Sequence, residues 1–463
     1  MRNRSEQTIC AISTPPGTGG ISVIRLSGPE ALMIAQKIAP SLQQKQIQTH
    51  TAYFAKIKDF KNEVIDEAVL TYFAFGKSFT GEEVVEISCH GSEYVAEKII
   101  NILIDAGAVL AEKGEFTFRA FMNNRMDLVQ AESVLSLIQS QNEASARVAV
   151  RQLQGDISKK YEVLESDLTW CLAHIEASID FSTEGIDVVD PKILLQKLSD
   201  IKGDLEKLVA SYRSGRLIKE GIKAVLLGEP NVGKSSLLNL LSEDDKAIVT
   251  SVAGTTRDVI SAPVVFDGLK YTLSDTAGLR ETTDLVEKIG VDRSQKEAGR
   301  ADVVLYVLDL TETDWVTAAE QIRAIKTPYL ILLNKADLLD GAGSNIARKK
   351  LQNLIPSLAE LDIILTSNLD PQTRIRVLNA VKQKIGAMNV METALLTSAR
   401  QYEMSTYALE MLEISIGELN KSMGAEFTAM YLKESLLALQ RILGHVFDDQ
   451  IMDRVFKEFC LGK

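Results

Sequence analysis

The stretch Gly228-Glu-Pro-Asn-Val-Gly-Lys234-Ser235-Ser236 determines the fold of the surrounding chain. It follows the apolar segment Ala224 to Leu227 and precedes the helical pattern Leu237 to Leu241. The spacing G-x-x-x-x-G-K-S between a strand and a helix is typical of a P-loop, whose backbone N–H groups cradle phosphate oxygens at a helix N-terminus. A chance turn of glycines would lack this strand-then-helix context. The sequence therefore predicts an α/β nucleotide-binding domain, with Lys234 on the β- and γ-phosphates and Ser235 on Mg²⁺.

Two further motifs at predicted strand ends identify the nucleotide. Asp275-Thr-Ala-Gly278 follows the strand-like Tyr271 to Ser274, where its carboxylate can join the Mg²⁺ shell and Gly278 N–H can meet the γ-phosphate. Asn334-Lys335-Ala336-Asp337 follows the apolar Tyr329 to Leu333. A carboxylate there accepts from both N1–H and N2–H₂ of guanine, a donor pair that adenine lacks. These motifs predict an α/β P-loop GTPase domain of the Ras-like class.

Two further segments complete the set of predicted GTPase motifs: the switch segment and the last loop that contacts the base. Gly254-Thr255-Thr256-Arg257-Asp258 supplies Thr256 as a second Mg²⁺ ligand, and Thr366-Ser367-Asn368 occupies the place of the usual Ser-Ala-Lys. That departure matters little if a backbone N–H contacts the base. The predicted GTP-contacting residues are Asn231, Val232, Gly233, Lys234, Ser235, Ser236, Thr250, Ser251, Val252, Ala253, Gly254, Thr255, Thr256, Asp275, Thr276, Ala277, Gly278, Asn334, Lys335, Asp337 and Ser367.

Two departures from the Ras-type pattern bear on hydrolysis. Leu279 stands where a glutamine normally orients the attacking water, and an apolar side chain cannot do this work. Glu287 is the first candidate to replace it; the alternative is a solvated helix-capping carboxylate. Asn231 in the P-loop offers an amide oxygen to a monovalent cation beside the phosphates. The alternative is an asparagine that stabilises its own turn.

Composition is consistent with a multidomain cytoplasmic enzyme. The chain has 463 residues, 46% of them apolar, which predicts about three domains. Its formal net charge of −12 argues against a general nucleic-acid-coating protein. Four cysteines suggest no disulfide framework and suit a reducing compartment. Neither a signal peptide nor an apolar run long enough for a membrane span is found.

The order of patterns predicts an inserted GTPase. Residues 1–120 mix short β-like runs with helical patterns and predict an α+β domain. Residues 121–218 are helical, with Leu164, Leu168, Cys171, Leu172, Ile175 and Ile179 on one face. Residues 219–386 contain the GTPase motifs. Residues 387–463 return to helical periodicity and are predicted to complete one all-α domain with residues 121–218.

The whole chain resembles the bacterial and organellar tRNA-modification GTPase family MnmE, also called the TrmE family. The resemblance is carried by Thr14 to Gly28, Ser78 to Val84, Gly114 to Phe121, Asp127 to Glu132 and the terminal Phe459-Cys460-Leu-Gly-Lys463. It implies addition of a carboxymethylaminomethyl-type group to C5 of the wobble uridine of certain tRNAs, with glycine or ammonium as the amine source.

The resemblance also implies ligands, partners and residue roles. The implied K⁺ ligands are Asn231, Thr250, Val252 and Thr255, and Glu287 positions water. Arg25, Glu82, Arg125 and Lys463 match positions for 5-formyl- or 5,10-methylene-tetrahydrofolate, although Arg125 is commonly Lys in the family. Cys460 is either a nucleophile toward uracil C6 or a small buried anchor. The implied partners are a second copy joined through the N-terminal domain, the FAD-dependent protein MnmG, and tRNA.

A ribosome-assembly or other RNA-associated regulatory GTPase is the alternative function. Such a protein is expected to carry a basic RNA-binding module, and neither a KH-type GXXG context nor a basic tail is present. The modification GTPase is therefore the preferred prediction.

Overall fold

The computed structural model describes residues 6–180, 190–242, 260–275, 297–386, 395–420, 425–447, 452, 455–459 and 462. The chain divides into two compact units. Unit 1 comprises residues 1–138, 151–204 and 403–463, and unit 2 comprises residues 139–150 and 205–402. The division into three domains made from the sequence stays a prediction. Residues 139–150 and 205–218, which it assigned to the helical domain, pack with unit 2.

Unit 1 begins with a six-stranded sheet in the described part of the chain. Its spatial order is β3-β4-β5-β2-β1-β6, antiparallel except where β6 joins β1. Two helices cover one face, because alternate apolar side chains of the strands point toward them. The strands are β1 (Ile9–Ile12), β2 (Ile21–Ser27), β3 (Thr51–Lys58), β4 (Val64–Phe73), β5 (Val84–His90) and β6 (Val109–Leu110).

The described residues also form thirteen α-helices. They are α1 (Ala31–Ile38), α2 (Glu93–Asp105), α3 (Glu115–Met122), α4 (Leu128–Ile138), α5 (Glu143–Leu153), α6 (Asp156–Asp180), α7 (Pro191–Glu220), α8 (Lys234–Ser242), α9 (Trp315–Arg323), α10 (Gly341–Leu354), α11 (Gln372–Lys384), α12 (Ala399–Asn420) and α13 (Ala425–Leu443). Helices α1 and α2 are the two that cover the sheet of unit 1. None of the helices in the described ranges is long and apolar enough to cross a membrane.

The helical part of unit 1 packs α6 against α13. The predicted apolar stripe is confirmed for the five residues Leu164, Leu168, Cys171, Leu172 and Ile175, which are all buried, whereas Ile179 is partly buried. Two buried hydroxyls, Tyr161 Oη and Ser405 Oγ, lie 2.7 Å apart between α6 and α12. The apolar stripe of α6 is thus buried within the helical part of unit 1.

The C-terminal tail returns to the N-terminal sheet of unit 1. Phe456 and Phe459 pack with Phe118 of α3 in one apolar cluster. Farther on, the Ser13 hydroxyl donates to the carbonyl oxygen of Gly462 at 3.0 Å. A Cβ on Gly462 would lie 2.2 Å from the Ile12 carbonyl oxygen, so this approach to β1 requires glycine.

Unit 2 contains a second six-stranded sheet within the described residues, in the order β12-β11-β10-β7-β9-β8. Only β8 runs antiparallel to its neighbour. The central β10 is buried along its whole length, as expected when helices cover both faces. The strands are β7 (Ile222–Leu227), β8 (Ile260–Phe266), β9 (Leu269–Asp275), β10 (Val303–Asp309), β11 (Tyr329–Asn334) and β12 (Ile363–Leu365). The α/β fold class is confirmed.

The two connections of the inserted GTPase contact each other inside unit 2. Gly215 of α7 lies against the Leu396 carbonyl, and the Ser211 hydroxyl accepts from Leu396 N–H at 3.1 Å. The rings of Tyr212 and Tyr402 stack with centroids 4.3 Å apart. The entry and exit of the inserted region are therefore packed together at the end of α7.

Gly215→Ala is expected to lower the free energy of unfolding by about 2 kcal/mol, within the usual range for overpacking. The reason is that a Cβ there would lie 1.9 Å from the Leu396 carbonyl oxygen. Gly203→Ala in the same helix is the matched control, because its Cβ would meet nothing within 4 Å. It should stabilise by about 1 kcal/mol through helix propensity. Urea unfolding measures both, and equal midpoints for the two variants would contradict the contact.

Candidate nucleotide-binding site

The predicted P-loop connects β7 to α8 at the carboxyl edge of the unit 2 sheet. Gly228 has φ +142, and a Cβ there would lie 2.2 Å from the Val307 carbonyl oxygen of β10. Gly233 has φ +92, and its Cβ would lie 2.5 Å from Asn334 Nδ2. Both positions exclude a side chain. Asn231 between them adopts the left-handed conformation, with φ +63. The loop is thus bent tightly enough to aim its backbone N–H groups into one concavity.

Lys234 and Ser235 begin α8 and face this loop. Lys234 is only 6% exposed, and its Nζ donates to the carbonyl oxygens of Gly228 at 2.8 Å and Glu229 at 2.6 Å. Burial lowers the pKa of Lys234, although the charges of Asp275 and Glu229 act in the opposite direction. The Ser235 hydroxyl donates to Asp275 Oδ2 at 2.8 Å. The structure therefore brings the phosphate-side residues predicted from two separate motifs together.

The base loop is joined to the P-loop through Asn334. This residue is fully buried, and its Nδ2 donates to the Val232 carbonyl at 2.9 Å while its Oδ1 accepts from the Thr366 hydroxyl at 3.2 Å. Lys335 has φ +60, and its Nζ lies 2.5 Å from Asp309 Oδ2. Burial alone would raise the pKa of Asp309, but hydrogen bonds from Lys335 and Thr311 outweigh it and hold the pKa below its ordinary value.

Ser367 ties the last base loop to Asp337. Its hydroxyl donates to Asp337 Oδ1 at 2.5 Å, and its backbone N–H donates to Thr373 Oγ1 at 3.2 Å. Leu369, two residues farther along this loop, is 81% exposed. The contacts of the loop with the base stay predictions.

Several predicted residues lie outside the described part of the chain. These are the switch residues Thr250, Ser251, Val252, Ala253, Gly254, Thr255 and Thr256, the residues Thr276, Ala277, Gly278, Leu279 and Glu287, and Cys460 and Lys463 at the C-terminus. Their roles stay predictions.

The three described folate candidates lie close together in unit 1. Arg25 on β2 pairs with Glu86 Oε1 at 2.7 Å and lies 5.7 and 5.6 Å from the ring centres of Phe79 and Phe116. Two residues after Arg25 on the same strand, the Ser27 hydroxyl donates to Glu82 at 2.6 Å. Arg125 donates to the Gly76 carbonyl at 3.4 Å. Its Cγ lies 3.2 Å from the position that a Cβ on Gly81 would occupy, and Gly81 precedes Glu82 in sequence.

Sequence reasoning missed the partners of these side chains. Arg119 of α3 donates from Nη1 to both carboxylate oxygens of Glu82 at 3.1 Å and from Nη2 to Glu115 at 2.9 Å. Arg119 and Glu115 are almost fully buried. The only signal was the position of Arg119 within the quoted Gly114 to Phe121 motif, which carried no chemical argument by itself.

Three features lie together at the carboxyl edge of this sheet: a P-loop, an aspartate that accepts from the P-loop serine, and a base loop that an asparagine joins to the P-loop. Together they define a P-loop GTP-binding protein. Residues 8–125 match the family described as "GTP-binding protein TrmE N-terminus", and residues 128–460 match "MnmE helical domain". The chain belongs to the MnmE (TrmE) family and is a GTP hydrolase that acts in tRNA modification.

Relatives match along their whole length. The tRNA modification GTPase MnmE of Bdellovibrio bacteriovorus is 48% identical over 475 residues, covering 100% of this chain and 98% of the relative. That of Lactobacillus gasseri is 38% identical over 463 residues, covering 98% of each chain. Among solved structures, Aquifex aeolicus Era bound to GDP and AlF₄⁻ is 22% identical, with a TM-score of 0.29 over 41% of this chain and 66% of that one.

Asp337→Asn is expected to exchange the preference for GTP for a preference for xanthosine triphosphate, whose carbonyl at C2 needs a donor instead of an acceptor. The Ser367 hydroxyl, 2.5 Å from Asp337 Oδ1 in the native chain, can still hold an amide oxygen in place. Competition binding with fluorescent GDP measures the exchange. A variant that keeps its preference for GTP would show that the base is read elsewhere.

Proposed function

We propose that this protein is a K⁺-activated GTPase that, with the FAD-dependent partner MnmG, adds a carboxymethylaminomethyl-type group to C5 of the wobble uridine of certain tRNAs. The one-carbon unit comes from 5-formyl- or 5,10-methylene-tetrahydrofolate, and the reaction takes place in the cytoplasm. The observation that carries the proposal is the match to relatives over essentially the full length of both chains, including the modules that flank the P-loop region.

Mg²⁺ fits the phosphate side of the site. Ser235 Oγ and Asp275 Oδ2 lie 2.8 Å apart, and a hydroxyl beside a carboxylate provides the hard oxygen ligands that Mg²⁺ takes next to nucleotide phosphates. In this proposal Ser235 and Thr256 hold the ion and Asp275 orients its shell. Bound Mg²⁺ would neutralise charge on the β- and γ-phosphates. Lys234, freed from the Gly228 and Glu229 carbonyls, would add its own charge there.

K⁺ activation is proposed from Asn231. Its left-handed backbone, φ +63, puts an exposed amide at the outer turn of the P-loop, next to the buried Val232. A neutral amide oxygen can serve as one ligand of a monovalent cation that lies beside the phosphates. Thr250, Val252 and Thr255 complete the proposed K⁺ ligands. Glu287 positions the attacking water, because Leu279 stands where a glutamine normally does so.

Folate binding is proposed from the cluster around Arg25. The Arg25 guanidinium lies beside the ring of Phe79, which is 37% exposed. One charged and one aromatic group suit a ligand that combines a flat heterocycle with carboxylates. Glu82, held by Arg119, offers an acceptor for ring N–H groups, and Arg125 a second positive charge. Gly462 is held at Ser13. Lys463, which lies outside the described residues, is proposed as a further folate ligand from the family resemblance alone.

Homodimerisation through the N-terminal domain is proposed from apolar side chains that are exposed on one face of the unit 1 sheet. Helices α1 and α2 cover the opposite face, while Ile21, Phe54 and Val69 on this face are 67%, 60% and 39% exposed. An apolar sheet face of this kind is a candidate protein interface. A second copy of the chain is the proposed partner there.

Mass analysis of wobble uridine in tRNA tests the function. Cells that lack this protein should lose the carboxymethylaminomethyl-type group, and the native gene should restore it. Lys234→Ala should fail to restore it because phosphate binding is lost, and Arg25→Met should fail because the charge near Phe79 is lost. Restoration by Arg25→Met alone would remove folate from the proposal but leave the GTPase role. Unchanged tRNA in the deleted cells would overturn the function as a whole.

Hydrolysis should be several-fold to about a hundredfold faster in K⁺ than in Na⁺ at equal ionic strength, the scale of one positioned charge near the transferred phosphate. Asn231→Ala should remove this difference while GDP affinity changes little. Steady-state phosphate release in the two salts measures the effect. Equal rates in K⁺ and Na⁺ for the native protein would refute a K⁺ ligand at Asn231.

A further inference from the structure

Residues 139–150, which we call the docking segment, lie against the hairpin that joins β8 to β9. Ala144 N–H donates to the Gly268 carbonyl at 3.2 Å, and Lys270 Nζ donates to Gln141 Oε1 at 2.6 Å. The Glu143 Cβ lies 4.0 Å from the position that a Cβ on Gly268 would occupy. A piece of chain distant in sequence from the P-loop motifs therefore completes unit 2.

The contact uses the N-terminus of α5. The first N–H groups of a helix have no partner within it, and the helix dipole favours an electron-rich group there. Asn142 satisfies one of these groups, because its Oδ1 accepts from Ser145 N–H at 2.8 Å. The Gly268 carbonyl accepts from another. The hairpin thus serves as part of the cap of α5, so helix and hairpin hold each other in place.

Apolar packing supports the same contact. Ala144 is 4% exposed and belongs to the core cluster that contains Leu269, Tyr271 and Leu273 of β9. A larger side chain at this position would push α5 away from the strand, because a buried alanine leaves no spare volume.

The hairpin turn leaves little freedom of its own. Asp267 and Gly268 have φ +49 and +73, as in the two-residue Asp-Gly turn that matches the twist of two strands. Asp267 also pairs with Lys382 of α11 at 2.6 Å. The turn is therefore fixed from two sides, by α11 and by the docking segment.

The far end of the hairpin lies beside the P-loop. The strands pair from Phe266 and Leu269 at the turn to Ile260 and Asp275 at the other end. Asp275 accepts from the P-loop Ser235, and the predicted switch threonines directly precede β8. A shift of the turn would pass along β9 toward Asp275, although β9 also pairs with β7 from Tyr271 to Asp275.

We propose that the docking segment is a positioning element of the GTPase: it holds the β8–β9 hairpin in the place that presents Asp275 to the nucleotide. GTP hydrolysis thus depends on the contact between α5 and the turn of the hairpin. The inference rests on GTP hydrolysis alone and needs neither K⁺ nor folate.

Ala144→Leu tests the proposal in the full-length protein. The variant should lower kcat for GTP roughly tenfold, as expected when a catalytic group is misplaced by a fraction of an ångström to an ångström. The dissociation constant of fluorescent GDP should stay within about twofold, because the contacts of Asn334 and Asp337 remain. Amide hydrogen exchange in residues 264–273 should become faster.

Ala146→Leu is the matched control, since it makes the same change on α5 at a residue outside the core cluster; its kcat and exchange should equal those of the native chain. Ala144→Ser, which keeps the small volume, should retain native kcat. A folded Ala144→Leu variant with native kcat would overturn the proposal, and so would a loss of kcat and GDP affinity in equal measure. If Ala144→Leu does not fold, Gln141→Ala, which removes the acceptor of the Lys270 hydrogen bond, replaces it as the test. A kcat about threefold lower than that of the native chain supports the proposal, and a native kcat overturns it.

Discussion

One buried amide holds the nucleotide site together. Asn334 has no exposed surface, and its two ends bind the Val232 carbonyl of the P-loop and the Thr366 hydroxyl of the last base loop. Leaving a buried amide unpaired costs about 1–3 kcal/mol per group, so neither loop can move away without loss. Gly233 makes this approach possible, because any Cβ would lie 2.5 Å from the same amide. The distance between phosphate and guanine recognition is thus set by one side chain.

The unit around this site is larger than its motifs suggest. The core beneath β7 and β9 includes Leu217 and Ile218 of α7, Ala144 of α5 and Leu395 from the exit connection. These residues come from three separate stretches of the chain. A fragment cut at residues 219–386 would lose all three stretches and expose the apolar surface that they cover to water. The GTPase is therefore built into the chain and is not an appended module.

In unit 1 the main constraint is a buried ion pair between Arg119 and Glu115. Arg119 is 4% exposed and Glu115 is 0% exposed, and the Arg119 guanidinium donates to both Glu115 and Glu82. Buried ion pairs contribute little net stability because both groups lose water, but removing one partner leaves an expensive unpaired charge. The arrangement therefore fixes where the Glu82 carboxylate points. A ligand that needs an acceptor at this place would find it already oriented.

The sequence by itself determined the GTPase fold and the places of the P-loop, Asp275 and Asp337 after their strands, because these depend on local spacing at strand ends. It also determined the apolar stripe of α6, because helix periodicity is local. Only the tertiary structure decided that Ser367 binds Asp337, that Arg119 holds Glu82 and that Ala144 packs on the β8–β9 hairpin. These contacts join residues that are 30, 37 and more than 100 positions apart. No periodicity or motif encodes such pairs; they arise from how whole elements pack and which polar groups are left to be paired in the interior.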